Sequence, residues 1–356
     1  MRLFFAEYAC SGAQPGIRLP ASVLREGWAM WAAFAHDAAS LPELRVVTPL
    51  SESFARSAPT WIEPIVVPDA GPRFERWQDS CASCDAALVI APESEGLLAS
   101  ATEALQPLVA SWLGCEPPFL QAAADKWLTY RALSSAGIAT PQTIPARFLL
   151  AGEGTPTGPW IAKPFDGCGS AEIFSGADGA SCIQQLRTMN QSMLDRLIVQ
   201  PRMPGRAVSV SAICGPRQVI WLPACEQELD GRNFAYLGGR GPLADDLQYR
   251  CEALAKKALQ ALGPGGHGWI GFDLLLGHAA NGCEDMVIEI NPRLTTSYVG
   301  LRHCLAGNLV AAILDVHGGE PATITKTDRR FQFTASGDVA YEDPTRRQPH
   351  LPSGVI

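Results

Sequence analysis

Two short apolar segments hold the most legible chemistry: Phe272-Asp273-Leu274-Leu275-Leu276 and Met286-Val287-Ile288-Glu289-Ile290-Asn291-Pro292-Arg293. Both read as strands, and the polar loop between them lets them fold back as a hairpin. Asp273 then lies opposite Glu289. Because side chains alternate with period 2, Glu289 and Asn291 share one face. Carboxylates do not gather among Leu, Val and Ile without a compensating cation. Oxygen donors with no His or Cys among them suit magnesium, with manganese as an alternative, and magnesium favours carboxylates, water and substrate phosphates. Asp273, Glu289 and Asn291 are therefore the expected metal ligands, at the metal end of a nucleotide-using enzyme.

Lys163 lies within Trp160-Ile161-Ala162-Lys163-Pro164-Phe165, where Pro164 keeps the chain extended. A lysine among such neighbours snorkels to the surface or meets an anion. Asp166-Gly167-Cys168-Gly169-Ser170 follows at once, and glycines there let backbone N–H groups cover a polyphosphate. The plain alternative is a surface turn after an edge strand. Lys126 opens a helix behind Asp125, its expected N-cap, and both a helix N-terminus and a lysine attract phosphate. Alone, it also reads as an ordinary solvated lysine. Arg293 directly follows the metal ligands, and its forked guanidinium suits a transferring phosphoryl group or an acyl phosphate. Its alternative role is a structural ion pair with one of the carboxylates. The six histidines form no ligand spacing, and no Ser/His/Asp or Cys/His order stands out.

These residues need a frame. The 356 residues suffice for two or three domains with cores of their own, and 47% apolar against 18% charged residues describes a well-folded globular protein. A formal charge of -8 with no basic cluster argues against nucleic acid. Eleven irregularly spaced cysteines include one close pair, Cys81 and Cys84, read as reduced helical residues rather than a zinc or redox site. An acid at Glu7 comes too early for a secretory core, and no apolar run reaches the roughly 20 residues that span a bilayer. No membrane partner is expected, and the protein reads as cytoplasmic.

Alternating strand and helix patterns occupy the first third: strands at 3–6, 44–47, 65–67 and 86–90, helices at 21–39, around 74–84 and at 95–113. That alternation predicts an open, mainly parallel sheet. Pro117-Pro118 marks a boundary. A helix over 124–133 closes at Gly137, strands follow at 143–145 and 160–164, then a helix near 181–190 and a strand at 197–200. Residues 201–205 read as a linker, 207–214 and 218–223 as strands, 247–262 as an amphipathic helix and 308–316 as a last helix. Beyond 320 only a strand at 331–334 is legible.

Taken in order, these pieces resemble the ATP-grasp superfamily over residues 121–316. The matching segments are Asp125-Lys126 ahead of Gly137-Ile138-Ala139-Thr140-Pro141, Ile161-Ala162-Lys163-Pro164 with its glycine loop, Ile198-Val199-Gln200-Pro201-Arg202-Met203-Pro204-Gly205, and Asp273…Glu289-x-Asn291-Pro292-Arg293. The resemblance implies an α/β and α+β chain: an N-terminal open parallel α/β domain (1–118), a small ATP-grasp lobe with the glycine loop (119–200), a C-terminal lobe with the metal site (201–319), and a tail (320–356) of unassigned role. It implies that Lys126 and Lys163 contact ATP phosphates, with Lys163 also near the adenine. Gly167, Gly169 and Ser170 would cover the phosphates, and Gln200, Pro201, Arg202 and Met203 would form the adenine hinge. Arg293 and Lys163 would serve catalysis. Many relatives place a ribose-binding Glu where this chain has Ala207, which leaves two alternatives: Ser209 as the substitute, or a loosely held ribose.

A narrower likeness lies in Phe4-Phe5-Ala6-Glu7-Tyr8-Ala9, Leu24-Arg25-Glu26-Gly27-Trp28-Ala29-Met30 and Asn291-Pro292-Arg293-Leu294-Thr295-Thr296-Ser297-Tyr298-Val299-Gly300-Leu301, which resemble the tyramine–glutamate ligases of methanofuran biosynthesis. That likeness implies an amide between the glutamate γ-carboxylate and tyramine, tyrosine or a later amine, in the making of methanofuran or methylofuran. The expected acceptor pocket lies between the N-terminal domain and 291–300, lined by Glu7, Glu26 and Tyr298, whose alternative roles are packing and surface. The rival readings are a small-molecule kinase, another amino-acid or peptide ligase on the same scaffold, and an idle ATP-binding protein. A homodimer is left open.

Overall fold

In the computed structural model, which describes residues 1–12, 19–60, 62–67, 75–154, 156–167, 173–231 and 234–342, the chain opens as a parallel sheet. Strands β1 (Arg2–Glu7), β2 (Arg45–Ser51), β3 (Glu63–Val67), β4 (Ala86–Ile90) and β5 (Ser111–Trp112) lie in the order β3-β2-β1-β4-β5. All four pairings are parallel. Leu3, Phe4, Phe5 and Ala6 are all fully buried, as a strand covered on both faces requires. Helix Ala21–Ala39 packs one face with Met30, Trp31 and Phe34, and Phe34 stacks on Phe5 at 4.2 Å. Helix Leu97–Leu105 packs the other.

The helix expected over 95–113 is divided. After Leu105 the chain passes through a short turn containing Pro107, which cannot continue an α-helix, and Ser111–Trp112 pairs with Ala86 and Ala87. Pro117–Ala124, expected only as a boundary, is itself a helix with proline in its first turn, where a missing N–H leaves no partner unsatisfied.

The second sheet is small and antiparallel: β6 (Ile144–Pro145), β7 (Trp160–Pro164), β8 (Phe174–Gly176) and β9 (Leu197–Pro201), ordered β6-β9-β7-β8. Trp160, Ala162, Leu186, Leu197 and Val199 form its core. The third sheet joins β10 (Arg206–Cys214), β11 (Val219–Trp221), β12 (Cys225–Leu229), β13 (Tyr236–Gly241), β14 (Gly268–Leu276) and β15 (Met286–Asn291), with a two-stranded β16 (Leu305–Ala306) and β17 (Thr325–Lys326) standing apart. Strands β18 (Arg330–Thr334) and β19 (Val339–Glu342) extend this sheet from β13, so the stretch beyond 320 contributes to it and buries Phe331 and Phe333. Sequence patterning missed β12 and β13 because Glu226, Gln227 and Glu228 interrupt the one and Gly238-Gly239 the other.

The first and third sheets share apolar clusters, and polar clamps reinforce the contact. Arg302 Nε donates to Asp37 Oδ1 at 3.0 Å, and Tyr298 donates its hydroxyl to Asp37 Oδ2 at 2.7 Å. Among the described residues no helix is long and apolar enough to cross a membrane.

Candidate active site

Strands β14 and β15 are antiparallel, with Asp273 directly opposite Glu289 and Gly271 opposite Asn291. The register slips just past Asp273, where the ladder bulges. On its other side Asp273 faces Ser209 of β10, so Ser209, Asp273 and Glu289 form one row across three strands. Asn291 Nδ2 donates to Asp273 Oδ2 at 3.2 Å and Gln227 Nε2 to Asp273 Oδ1 at 2.8 Å. Burial, with the charge of Glu289, raises the Asp273 carboxyl to about 7. Burial acts against ionised Glu289 too, but the charges of Lys126 and Lys163 outweigh it and hold Glu289 below the usual carboxylate range.

Lys126 is no solvated lysine. It is buried at the start of helix Lys126–Ser135, with Nζ 2.8 Å from Glu289 Oε1 and donating to the Gly167 carbonyl at 2.5 Å. Asp125 caps that helix by accepting from the N–H groups of Trp127 and Leu128. Gly137, at φ +69°, closes the same turn of chain after it. Lys163 projects from β7 into the same space, and its burial lowers the ammonium to about 8, with Glu289 opposing the shift. Pairing of β7 with β9 sets Lys163 opposite Ile198 and Ile161 opposite Gln200.

These groups line one cleft of about 420 Å³. Gln200, Pro201, Arg202 and Met203 edge it with apolar Ile161, Ile173, Leu274 and Leu275, and Ala207, Ser209 and Gly167 lie along it. Gln200 Nε2 donates to Thr143 Oγ1 at 2.9 Å, and Arg202 N donates to the Pro159 carbonyl at 2.8 Å while its guanidinium lies over Phe234. Gly169 and Ser170 fall outside the described residues. The loop expected to cover the phosphates is pinned at its first residue: Asp166 accepts from Glu95 N–H at 2.7 Å and from Arg196 at 3.4 Å.

Arg293 also lines the cleft, and it forms an ion pair outside the hairpin. Its Nε donates at 2.8 Å to Oε1 of Glu93, in the loop that follows β4. Of the expected acceptor-pocket residues only Glu26 lines the cleft. Tyr298 is turned away, because it begins helix Ser297–Leu301 on the face packed against Phe34 and Trp269. Glu7 is buried beneath Gly27, accepting from Cys10 N–H at 2.9 Å.

Sequence reasoning missed Gln227 and Glu93. Glu93 stands just past the carboxyl end of a parallel strand, the edge at which open α/β sheets place ligand-binding groups, and that signal was available. Gln227 lay in an unrecognised strand.

The donor set fits a hard cation. Two carboxylates stand opposite each other, burial and then the charge of the second raise one of them, and the Asn291 amide, turned end for end, offers its oxygen beside them. Among the described residues no third His, Cys, Asp or Glu joins them, which leaves remaining positions to water and phosphate oxygens.

Comparison with known proteins matches residues 44–118 to a pre-ATP-grasp domain family and residues 123–297 to an ATP-grasp domain family. A Methanocaldococcus jannaschii protein named tyramine–L-glutamate ligase is 29% identical over 218 residues, covering 61% of this chain and 58% of that protein. The matched stretch is thus less than two thirds of that relative's length. A protein of the ATP-grasp superfamily from Archaeoglobus fulgidus superposes with a TM-score of 0.70 at 22% identity, over 99% of this chain and 96% of its own. The N5-carboxyaminoimidazole synthetase of Staphylococcus aureus, complexed with ADP, gives 0.68 at 14% identity over 94% and 81%. These likenesses give the fold: the chain belongs to the ATP-grasp superfamily, with a pre-ATP-grasp domain ahead of an ATP-grasp domain.

Proposed function

We propose that this protein is an ATP-dependent carboxylate–amine ligase that joins the γ-carboxylate of glutamate to an aryl amine, tyramine or tyrosine, in the assembly of a methanofuran-type cofactor. The observation that carries the reading is the convergence of Lys126, Lys163, Asp273, Glu289 and Arg293 in one cleft whose far edge is the apolar Ile161, Met203 and Leu275. A planar base fits between such apolar walls, with the backbone at Gln200–Met203 as its edge. Lys126 and Lys163 suit the phosphates by charge and position. The similarity to a protein named tyramine–L-glutamate ligase supports the choice of substrates.

Magnesium held by Asp273, Glu289 and Asn291 would offset charge on the transferring phosphoryl group. The donor carboxylate oxygen attacks the γ-phosphorus of ATP, ADP leaves, and an acyl phosphate forms. The amine nitrogen then attacks the acyl carbon, phosphate departs with the C–O bond electrons, and the nitrogen sheds a proton. Lys163 and Arg293 stabilise the charge of the γ-phosphoryl group, and Glu93, bonded to Arg293 Nε, steadies the guanidinium that would meet phosphate or the oxyanion. Ser209, beside Asp273, is the candidate ribose contact in place of the acid that Ala207 lacks.

A phosphate-release screen tests this: glutamate, aspartate and alanine as donors against tyramine, tyrosine and other aryl amines, with product masses read out. The expected result is amine-dependent phosphate release with a glutamyl amide. ADP formed without an amine, and no amide mass, would refute the ligase in favour of a kinase.

A further inference from the structure

Charges in the cleft are mostly paired. Lys126 holds Glu289, Glu93 holds Arg293, and Asp273 is bonded by Gln227 and Asn291. Glu26 differs. It lines the same cleft, and its partner there is a neutral hydroxyl in place of a cation. Its Oε1 accepts from the Thr296 hydroxyl at 2.5 Å, so one oxygen is fixed and the other is left for a ligand.

The position is right for substrate. Thr296 lies three residues after Arg293, so their Cα atoms are at most roughly 11 Å apart. The cleft wall between Glu26 and the β14–β15 hairpin includes Ser211, Tyr236, Thr295 and Ser297, all polar. Tyr236 feels both ends: burial pushes its phenol up, and Cys225, Asp273 and Glu26 add to the effect, so it remains a protonated donor at neutral pH. A second acid backs Glu26. Glu7 presses against the bare Cα of Gly27, where a Cβ would come within 2.5 Å of its Oε2. An anionic group with one fixed oxygen, in a cleft with polar lining, selects a cation that can donate hydrogen bonds.

We propose that Glu26, steadied by Thr296, is the docking point for a primary ammonium group on one of the two organic substrates. This rests on the ligase reading above. The ammonium belongs either to the arriving amine or to the α-carbon of the amino-acid donor; the chemistry recognised is the same, and substrate kinetics separate the two.

The test is Glu26→Gln, which keeps an acceptor for Thr296 and removes the charge. Initial rates are measured with ATP, L-glutamate and tyramine varied in turn. The expected result is a KM raised about 10- to 100-fold for one organic substrate, as loss of a charge-assisted hydrogen bond implies, with the KM for ATP within about twofold. A rise confined to tyramine assigns the acceptor amine, and one confined to glutamate the donor α-ammonium. Thr296→Val, as a second variant, should raise the same KM by less. Unchanged KM values for both organic substrates, or an equal rise for ATP, overturn the proposal. Should the wild type make no amide, the ligase reading falls while this one is still tested, by calorimetric titration of wild type and Glu26→Gln with tyramine and with L-glutamate. Weaker binding of either by the variant supports it; equal binding, or none by the wild type, overturns it.

Discussion

Removing either partner of the Arg293–Glu93 pair should expose how strongly the N-terminal domain is tied to the β14–β15 hairpin. The pair spans 200 residues at 2.8 Å, and its side chains are only 14% and 4% exposed. Breaking a buried pair from one side costs about 3–5 kcal/mol, because the remaining charge is left uncompensated. The two sides are not equivalent. Without Glu93, Arg293 still feels Asp273 and Glu289, whose carboxyls it pulls down. Without Arg293, Glu93 keeps a buried charge whose Oε2 already has no hydrogen-bond partner among the described residues. Arg293→Ala should therefore lie at the upper end of the range and Glu93→Ala at the lower. For a cooperative unit of about 150–250 residues each kcal/mol moves Tm by roughly 2–4 °C, so Glu93→Ala should lower Tm by about 6–12 °C. The double variant removes both charges and should be no worse than Arg293→Ala, with a coupling energy of at least about 3 kcal/mol in a double-mutant cycle. Scanning calorimetry of the four proteins checks this. Additive losses below about 1 kcal/mol each would refute the reasoning and make the pair equivalent to a solvated surface contact.

Two further outcomes are expected. Glu7 is buried and its carboxyl raised to about 7 from 4.5, chiefly by desolvation. Its folded form thus keeps a proton that the unfolded chain has lost, and stability falls as pH rises from 4.5 to 7, by roughly 3 kcal/mol in all. Glu7→Gln should unfold at higher urea than wild type at pH 8 and lose that advantage at pH 4; an advantage independent of pH would contradict the assignment. Lys163→Ala should weaken binding of a non-hydrolysable ATP analogue by about 10- to 100-fold, equivalent to about 1.5–3 kcal/mol, in an equilibrium titration. Unaltered affinity would remove Lys163 from the phosphate contacts.

Local sequence was enough for elements whose signal is periodic. The first strand is a continuous apolar run, helix Ala21–Ala39 shows its spacing of Trp28, Trp31 and Phe34, and the β14–β15 hairpin announces the apposition of Asp273 and Glu289 through two apolar runs, each interrupted by an acid, on either side of a polar loop. Asp125 as a helix cap follows from its type and place. Strands whose faces point into a polar cleft carry no such signal, so β12 with Gln227 was invisible. Partners distant in sequence were decided only by tertiary structure: Lys126 on Glu289, Glu93 on Arg293, Thr296 on Glu26, and Tyr298 drawn to Asp37 instead of the cleft. A side chain's type and its strand face are properties of a few neighbouring residues. Which charge it meets depends on how sheets made from separate stretches of chain pack, and that is settled by apolar burial across the whole molecule.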